Sequence, residues 1–565
     1  MWTACLALYL NIFVKKHSMT RISLILFGLA LGSASFGQKS EKPKVIVGIV
    51  VDQMCYEYLY RFQDKFSKGG FLKMMNEGAN CRTTQYNYIP TYTGPGHASI
   101  YTGTTPSNHG IVANDWYDAD LQRSKNCVED TSVLTIGGAE GNGKSSPRNL
   151  KSNTITDQLK LTYNDSKVIS VSIKNRGAIL PGGHLSDGSY WYDYSTGNLM
   201  TSSYYKQSLP EWVKEFNKEK QPAKYMDGSW NTYMDISTYT ESGPDDSPYE
   251  HLLPGKQKPV FPYDLKTMIN SSEVTSTQLF PYTPFANTYL TDFAVRAIDG
   301  EQLGNDEVTD MLCISYSTPD IIGHAFGPYS KEIEDTYIRL DRDIERLIKE
   351  LEERFGKKGF VMFLTADHAV VPVPQFLIDH GLPGGYFYRD QHLNELDLML
   401  EERFGARLIE EEDNLNIFFN KKLIDLLKID LQEVCAFAQN VIGEWDEVKR
   451  VFTKYDLTAA GVNDKWMDMV KNGYHKEESG DILFILEPGY LPESKPDESG
   501  EKGTSHGSAY SYDTHVPLLW YGAGIRTQEI FRTIEITDIT ATLAHILELQ
   551  LPNATTGEPI VELLK

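Results

Sequence analysis

Asp320 and His324 stand four residues apart in S-T-P-D-I-I-G-H, a spacing at which one helical turn presents a carboxylate and an imidazole to the same ion. Asp367 and His368 are adjacent in L-T-A-D-H, and Asp52 lies in V-V-D-Q-M. Taken singly, each is equally a helix cap or a surface pair. Together they are three apolar runs each followed by an Asp, two of them with a His nearby. Carboxylates gathered in this way repel one another unless cations lie between them. A mixed Asp/His donor set favours zinc over magnesium. A second chemistry-bearing segment runs from Thr91 to Ile100, T-Y-T-G-P-G-H-A-S-I. It reads as a glycine-punctuated turn opening onto a helix, where backbone N–H groups and the helix dipole favour an anion. Thr93 in that turn is a hydroxyl that a base or a metal would turn into a nucleophile, with helix capping as the alternative role.

Elements that could hold these residues together recur along the chain. Val45 to Val51 is a β-branched run of the kind found in buried parallel strands, and Val168 to Ile173, Met311 to Tyr316, Val361 to Thr365 and Val516 to Tyr521 repeat it. Ile333, Tyr337, Leu340, Ile344, Leu347 and Leu351 recur at three- and four-residue steps, the stripe of one amphipathic helix between two of those strands. The pattern predicts an α/β fold with a mostly parallel central sheet flanked by helices. Residues closing such strands gather along the carboxyl edge, where open α/β folds place their ligands. Two stretches interrupt the pattern, at about 182–284 and 372–505, and are expected to be inserted cap regions around one domain spanning 38–565. Tyr190, Trp191 and Tyr192 in the first are expected to pack the cap on the core, a substrate platform being the alternative. The acidic run from Glu410 to Asp413 in the second reads as a solvated face.

The 565 residues carry a net charge of −23, which argues against a nucleic-acid partner and requires any anionic ligand to meet locally concentrated positive charge. Arg21 followed by the apolar run from Ile22 to Leu31 and small residues to Gly37 has the order of a secretory signal. Residues 1–37 are therefore expected to be a leader, with Met19 as a possible true start and cleavage before Gln38. The run is too short to span a bilayer, and no later segment is apolar enough, so an exported protein, periplasmic or secreted, without a stable membrane span is expected. Cys55, Cys81, Cys127, Cys313 and Cys435 remain after the leader, an odd number with no C-x-x-C pair and no specified disulfide.

V-V-D-Q-M, T-G-P-G-H, A-N-D-W-Y, S-I-K-N-R, S-T-P-D-x-x-G-H, A-D-H and T-S-H-G together resemble the alkaline phosphatase superfamily, and within it the periplasmic PafA-type phosphate monoesterases, from about Lys44 to the C-terminus. The resemblance implies an alkaline-phosphatase-like core and two zinc ions. Asp52, Asp367, His368 and the Thr93 oxygen would bind one, and Asp320, His324 and His506 the other. It further implies Thr93 as nucleophile through a phosphothreonine, Asn114 as a donor to a phosphoryl oxygen, and Lys174 and Arg176 as ligands of the remaining oxygens. Two zinc dications would then balance three carboxylates and a threonine alkoxide, leaving Lys174 and Arg176 to face a phosphate monoester dianion. Ala369 replaces the glycine usual after Asp-His, and Gly94 and Pro95 occupy positions that vary within the family; neither removes a ligand. His97, His184 and His515 are expected to hold other residues in place, because no ligand position is left for them.

A phosphodiesterase of the same superfamily is the alternative. Lys174 and Arg176 argue against it, since a diester carries one charge less and needs room where these cations would sit. A sulfatase would need a Cys or Ser in a C/S-x-P-x-R motif, which the Thr93 segment lacks. An exported binding protein would need no activated hydroxyl. The expected substrates are small-molecule phosphate monoesters of broad range, and the expected state is a monomer.

Overall fold

Seven consecutive buried residues, V-I-V-G-I-V-V, form the strand β1 (Val45–Val51) at the middle of the sheet. The computed structural model describes residues 42–458, 464–497 and 500–564, and from Pro43 onward the chain groups as one compact unit. The leader expected over 1–37, with Met19 and the Gln38 junction, lies outside the described residues.

The main sheet has eleven strands. After β1 come β2 (Ala79–Gln85), β3 (Thr135–Ile136), β4 (Val168–Ser172), β5 (Gly188–Tyr192), β6 (Leu199–Ser202), β7 (Asp310–Tyr316), β8 (Phe360–Thr365), β9 (His515–Val516), β10 (Leu518–Gly522) and β11 (Gln528–Glu535). Their order in space is β9-β2-β10-β8-β1-β7-β4-β5-β6-β3, with β11 beside β2. The central strands β8, β1, β7, β4 and β5 are parallel. The flanks turn antiparallel, β10 on β8 and β6 on β5. The run expected as one strand over Val516 to Tyr521 is broken at Pro517, which has no N–H to give a ladder, into β9 on β2 and β10 on β8.

Helices α1 (Thr93–Thr102), α2 (Asn175–Gly182), α3 (Phe285–Gly300), α4 (Thr318–Phe326) and α5 (Lys331–Phe355) flank this sheet. All six stripe residues of α5, Ile333 through Leu351, are buried, each contributing about 1.5–3 kcal/mol relative to exposure. α1 lies close over β1: a Cβ on Gly48 would stand 2.6 Å from the Tyr101 hydroxyl.

The two interrupting stretches differ in kind. The first does not begin as a separate cap at residue 182, because β5 and β6 extend the central sheet and Tyr190, Trp191 and Tyr192 lie in β5, each at most 1% exposed. Their role is core packing. The second builds its own four-stranded antiparallel sheet from Ile409–Asp413, Asn416–Phe419, Ile482–Leu486 and Val448–Thr453, over a separate apolar core. The acidic run is the edge strand of that sheet, with Glu411 exposed and Glu410 and Asp413 half-buried as a solvated face expects, and Glu412 the exception. Glu412 points inward, buried, with its carboxylate 3.4 Å from Arg389.

Candidate active site

Register brings the chemistry together. Val51 of β1 pairs with Tyr316 of β7, and Val50 with Thr365 of β8, so the parallel strands end level. The ladder runs one step further, Asp52 N–H donating to Tyr316 O at 3.0 Å, and this fixes the Asp52 carboxylate at the edge. Asp367 and His368 follow β8. Asp320 and His324 lie one turn apart on α4, His324 Nε2 being 3.1 Å from Asp320 Oδ1. His506 arrives on a loop whose Gly507 and Ser508 amides donate to Asp513 Oδ2 at 3.1 and 2.8 Å. Lys174 holds the cap position of α2 and Arg176 is its second residue.

Thr93 is the first residue of α1 and not its cap. Tyr92 holds the cap position in extended backbone, without a side-chain bond. The Thr93 hydroxyl is thereby left to the site, 3.5 Å from both His368 Nε2 and Lys174 Nζ. Asn114 accepts the Gly94 amide on Oδ1 at 2.7 Å, which leaves its NH₂ to line the cavity beside Thr93. Gly96 is where α1 meets the Asp367 loop, since a Cβ there would come 2.4 Å from Asp367 O. His97 ties the same two elements, with Nδ1 2.8 Å from Thr93 O and 3.3 Å from Asp367 Oδ2, and Nε2 2.8 Å from Ser315 Oγ. His184, against Asp157 and Leu150 O, and His515, against Arg82 O, stand away from the ligand set.

Donor chemistry fits a metal centre. His324 Nδ1 faces Thr504 O at 2.8 Å, His506 Nδ1 faces Thr91 O at 2.8 Å, and His368 Nδ1 faces Ala369 O at 3.0 Å. A carbonyl accepts only, so each Nδ1 carries a proton and each Nε2 faces the cluster, its lone pair free to ligate once the ring is neutral. Asp52 Oδ1 and Asp367 Oδ2 are buried carboxylate oxygens that accept no well-aligned hydrogen bond, His368 Nε2 at 3.4 Å and His97 Nδ1 at 3.3 Å being beside them, a costly arrangement that a cation would relieve. Burial, with the Asp320 and Asp367 carboxylates alongside, pushes Asp52 above the ordinary carboxylate range. Burial acts on Asp320 in the same direction, but His324 and Lys174 override it and hold that carboxyl well below the range. Burial and His368 keep His506 neutral, whereas Asp367 and Asp52 outweigh burial at His368 and raise it to about 9, so a cation there displaces a proton.

Asp52, Asp367 and His368, which the family resemblance groups together, offer ligand atoms within 4.8 Å of one another. Asp320 and His506 make a second such group, but with His368 in place of His324. The reason is the stacking of the His368 and His506 rings at 3.4 Å. His324 keeps its contact with Asp320 and opens onto the cavity.

Lys174 differs from expectation. Its ammonium bridges Asp52 Oδ2 at 2.7 Å and Asp320 Oδ2 at 2.5 Å, because the buried carboxylates draw the nearest cation. Arg176 lines the cavity, makes no ion pair among the described residues, and has a buried Nε without a partner. The cavity measures about 1050 Å³, far more than a phosphoryl group fills, and Tyr194, Tyr282, Val274 and Leu253 from the first stretch and Tyr386 and Lys502 from the second form its walls. Sequence reasoning passed over Asp513, Thr504 and Gln53, which hold other residues of the site in place. Only the left-handed backbone of Gln53 sets one of them apart, and a sequence does not display it.

The family described as type I phosphodiesterase / nucleotide pyrophosphatase matches residues 46–509. Alkaline phosphatase PafA of Elizabethkingia meningoseptica is 39% identical over 546 residues, covering 95% of this chain and 98% of its own. The crystal structure of wild-type PafA superposes with a TM-score of 0.88 over 93% of this chain and 99% of that one. Alkaline phosphatase PhoV of Synechococcus elongatus is 39% identical, over 94% of each chain. A Myroides odoratus protein named calcium-transporting ATPase is 41% identical over 94% of this chain and 96% of its own. With that extent of likeness added to the site at the strand ends, the chain belongs to the type I phosphodiesterase / nucleotide pyrophosphatase family and is, within it, an alkaline phosphatase of the PafA kind.

Proposed function

We propose that this enzyme hydrolyses phosphate monoesters of broad range through a phosphothreonine at Thr93, with two zinc ions as cofactors. The observation that carries the reading is the Arg176 guanidinium, without an ion pair among the described residues and with a buried Nε that has no partner, lining the same cavity as Thr93 and Asn114. Asp52, Asp367 and His368 would hold one ion with the Thr93 oxygen, and Asp320, His324 and His506 the other. Such ions supply Lewis acidity, lowering the pKa of the attacking hydroxyl and neutralising the departing alkoxide. Arg176 grips two phosphoryl oxygens bidentately, Asn114 donates to a third, and Lys174 adds a point charge. Thr93 Oγ1 forms its bond to phosphorus as the ester P–O bond breaks, and the leaving oxygen takes a proton. Water then attacks the phosphothreonine, releasing inorganic phosphate and restoring the hydroxyl. The leader motif supports export to the periplasm or medium, and the reading takes a monomer as the working unit.

The test is turnover of an aryl phosphate monoester beside its bis-aryl diester at alkaline pH, with and without chelator. A large monoester preference that chelation abolishes and zinc restores is expected. A diester preference would move the activity to phosphodiesterase, and turnover indifferent to chelator would overturn the zinc assignment.

A further inference from the structure

Gln53 follows Asp52 in a left-handed backbone conformation, φ +67°, which a residue other than glycine seldom adopts. It is buried, and the conformation has two structural consequences. The Gln53 N–H is turned to Asp367 Oδ1 at 3.2 Å, and the side chain reaches across to give Nε2–H to Asp320 Oδ1 at 2.7 Å. One residue thereby binds a carboxylate from each candidate metal group while its chain neighbour is itself a member of the first. α4 is shaped to allow this. A Cβ on Gly323 would lie 1.9 Å from Gln53 Oε1, so only glycine lets the amide lie flat between β1 and α4.

We infer that Gln53 is a positioning residue for the metal centre: its amide holds the Asp320 carboxylate in the orientation that presents its oxygens with His324 and His506, while its backbone does the same for Asp367. The inference rests on the metal reading above. An ionised carboxylate accepts and never donates, so the partner at this position has to be a donor, which Gln supplies and Glu or Met of similar size does not. Gln53 touches neither Thr93 nor the reacting atoms, and its effect passes through Asp320 and Asp367. Groups that orient metal ligands in this way change metal affinity by about 10–100-fold when removed.

Two variants separate the parts. Gln53→Met keeps the volume and the strained backbone but removes the side-chain donor. Gln53→Gly removes the donor and the strain yet keeps the N–H to Asp367. Zinc affinity of the full-length protein is measured by competition with a chromophoric chelator, resolving two binding steps, alongside melting of the metal-free protein. The expected result is one step weakened about 10–100-fold in both variants with the other within about twofold, and Gln53→Gly melting no lower than wild type. If Gln53→Met binds both ions as tightly as wild type, the side chain fills space and the positioning role is overturned. If both steps weaken equally with a fall in melting temperature, the residue serves the fold, and the proposal again fails. Wild type that binds no zinc would remove the metal reading itself, an outcome distinct from either.

Discussion

At the scale of single residues, the site separates attack from binding. Thr93 places its hydroxyl 3.5 Å from His368 Nε2 and Lys174 Nζ, and its backbone is held by α1 and His97 rather than by the hydroxyl. Thr93→Ala is therefore expected to lose turnover by roughly 10⁴-fold or more while binding zinc and inorganic phosphate. Single-turnover kinetics and phosphate titration check this, and near wild-type turnover would contradict the nucleophile role. In the proposed reaction Arg176 and Lys174 would face a doubly charged monoester. Replacing both with Ala is expected to cost monoester hydrolysis far more than diester hydrolysis, about 3 kcal/mol of transition-state stabilisation for each lost donor, or on the order of 10²-fold apiece. Comparing kcat/KM on the two esters reads that difference, and equal losses would refute the charge argument.

At the scale of elements, the level endings of β1, β7 and β8 and the close seat of α1 do the aligning. Gly96 is the contact point, with Asp367 backbone where a side chain would begin. Gly96→Ala must push α1 off the Asp367 loop, at a cost of about 1–3 kcal/mol. Thr93 and Asp367 would then separate, so kcat should fall by more than stability alone explains. A melting curve paired with kcat tests it, and unchanged kcat at lowered melting temperature would show that the alignment tolerates the shift. The strands, the α5 stripe and the strand-end carboxylates were readable from the sequence because periodicity and β-branched runs are local signals. The break at Pro517, the antiparallel flanks and the inward face of Glu412 were not, since pairing direction and burial depend on which partner arrives from elsewhere.

At the scale of the whole molecule, the segment before the cavity wall is fastened to α5 through acids. Glu250 and Glu332 are buried, each with an unpartnered carboxylate oxygen, and Glu332 accepts from Tyr263 at 2.6 Å. Burial first, then neighbouring acids, pushes Glu332 up to about 8 and Glu250 to about 10. A carboxyl raised in the folded state binds its proton more tightly there than in the unfolded chain. Its contribution to stability is complete at acid pH and is lost as pH rises through the folded pKa, by up to about 1.4 kcal/mol per pH unit for one proton. Wild-type melting temperature should thus decline from mildly acid pH upward into the alkaline range. Glu332→Gln keeps an acceptor for Tyr263 and cannot ionise, so the decline between about pH 5 and pH 8 should shrink; thermal melts across that range decide it, and an unchanged slope would place the titration elsewhere.

The sequence by itself determined the chemistry available: which residues could ligate, which hydroxyl could attack, which cations could meet a phosphoryl group, and that parallel strands would carry them to one edge. Those are properties of residue type and local pattern. Tertiary structure alone decided that Thr93 is released from capping, that Lys174 bridges Asp52 and Asp320, and that Tyr190, Trp191 and Tyr192 belong to the core. It also decided that Gln53, silent as a residue type, spans two carboxylates more than 250 positions away in the chain. Each of these follows from contacts between segments remote in sequence, where register, backbone conformation and charge balance settle what a side chain meets.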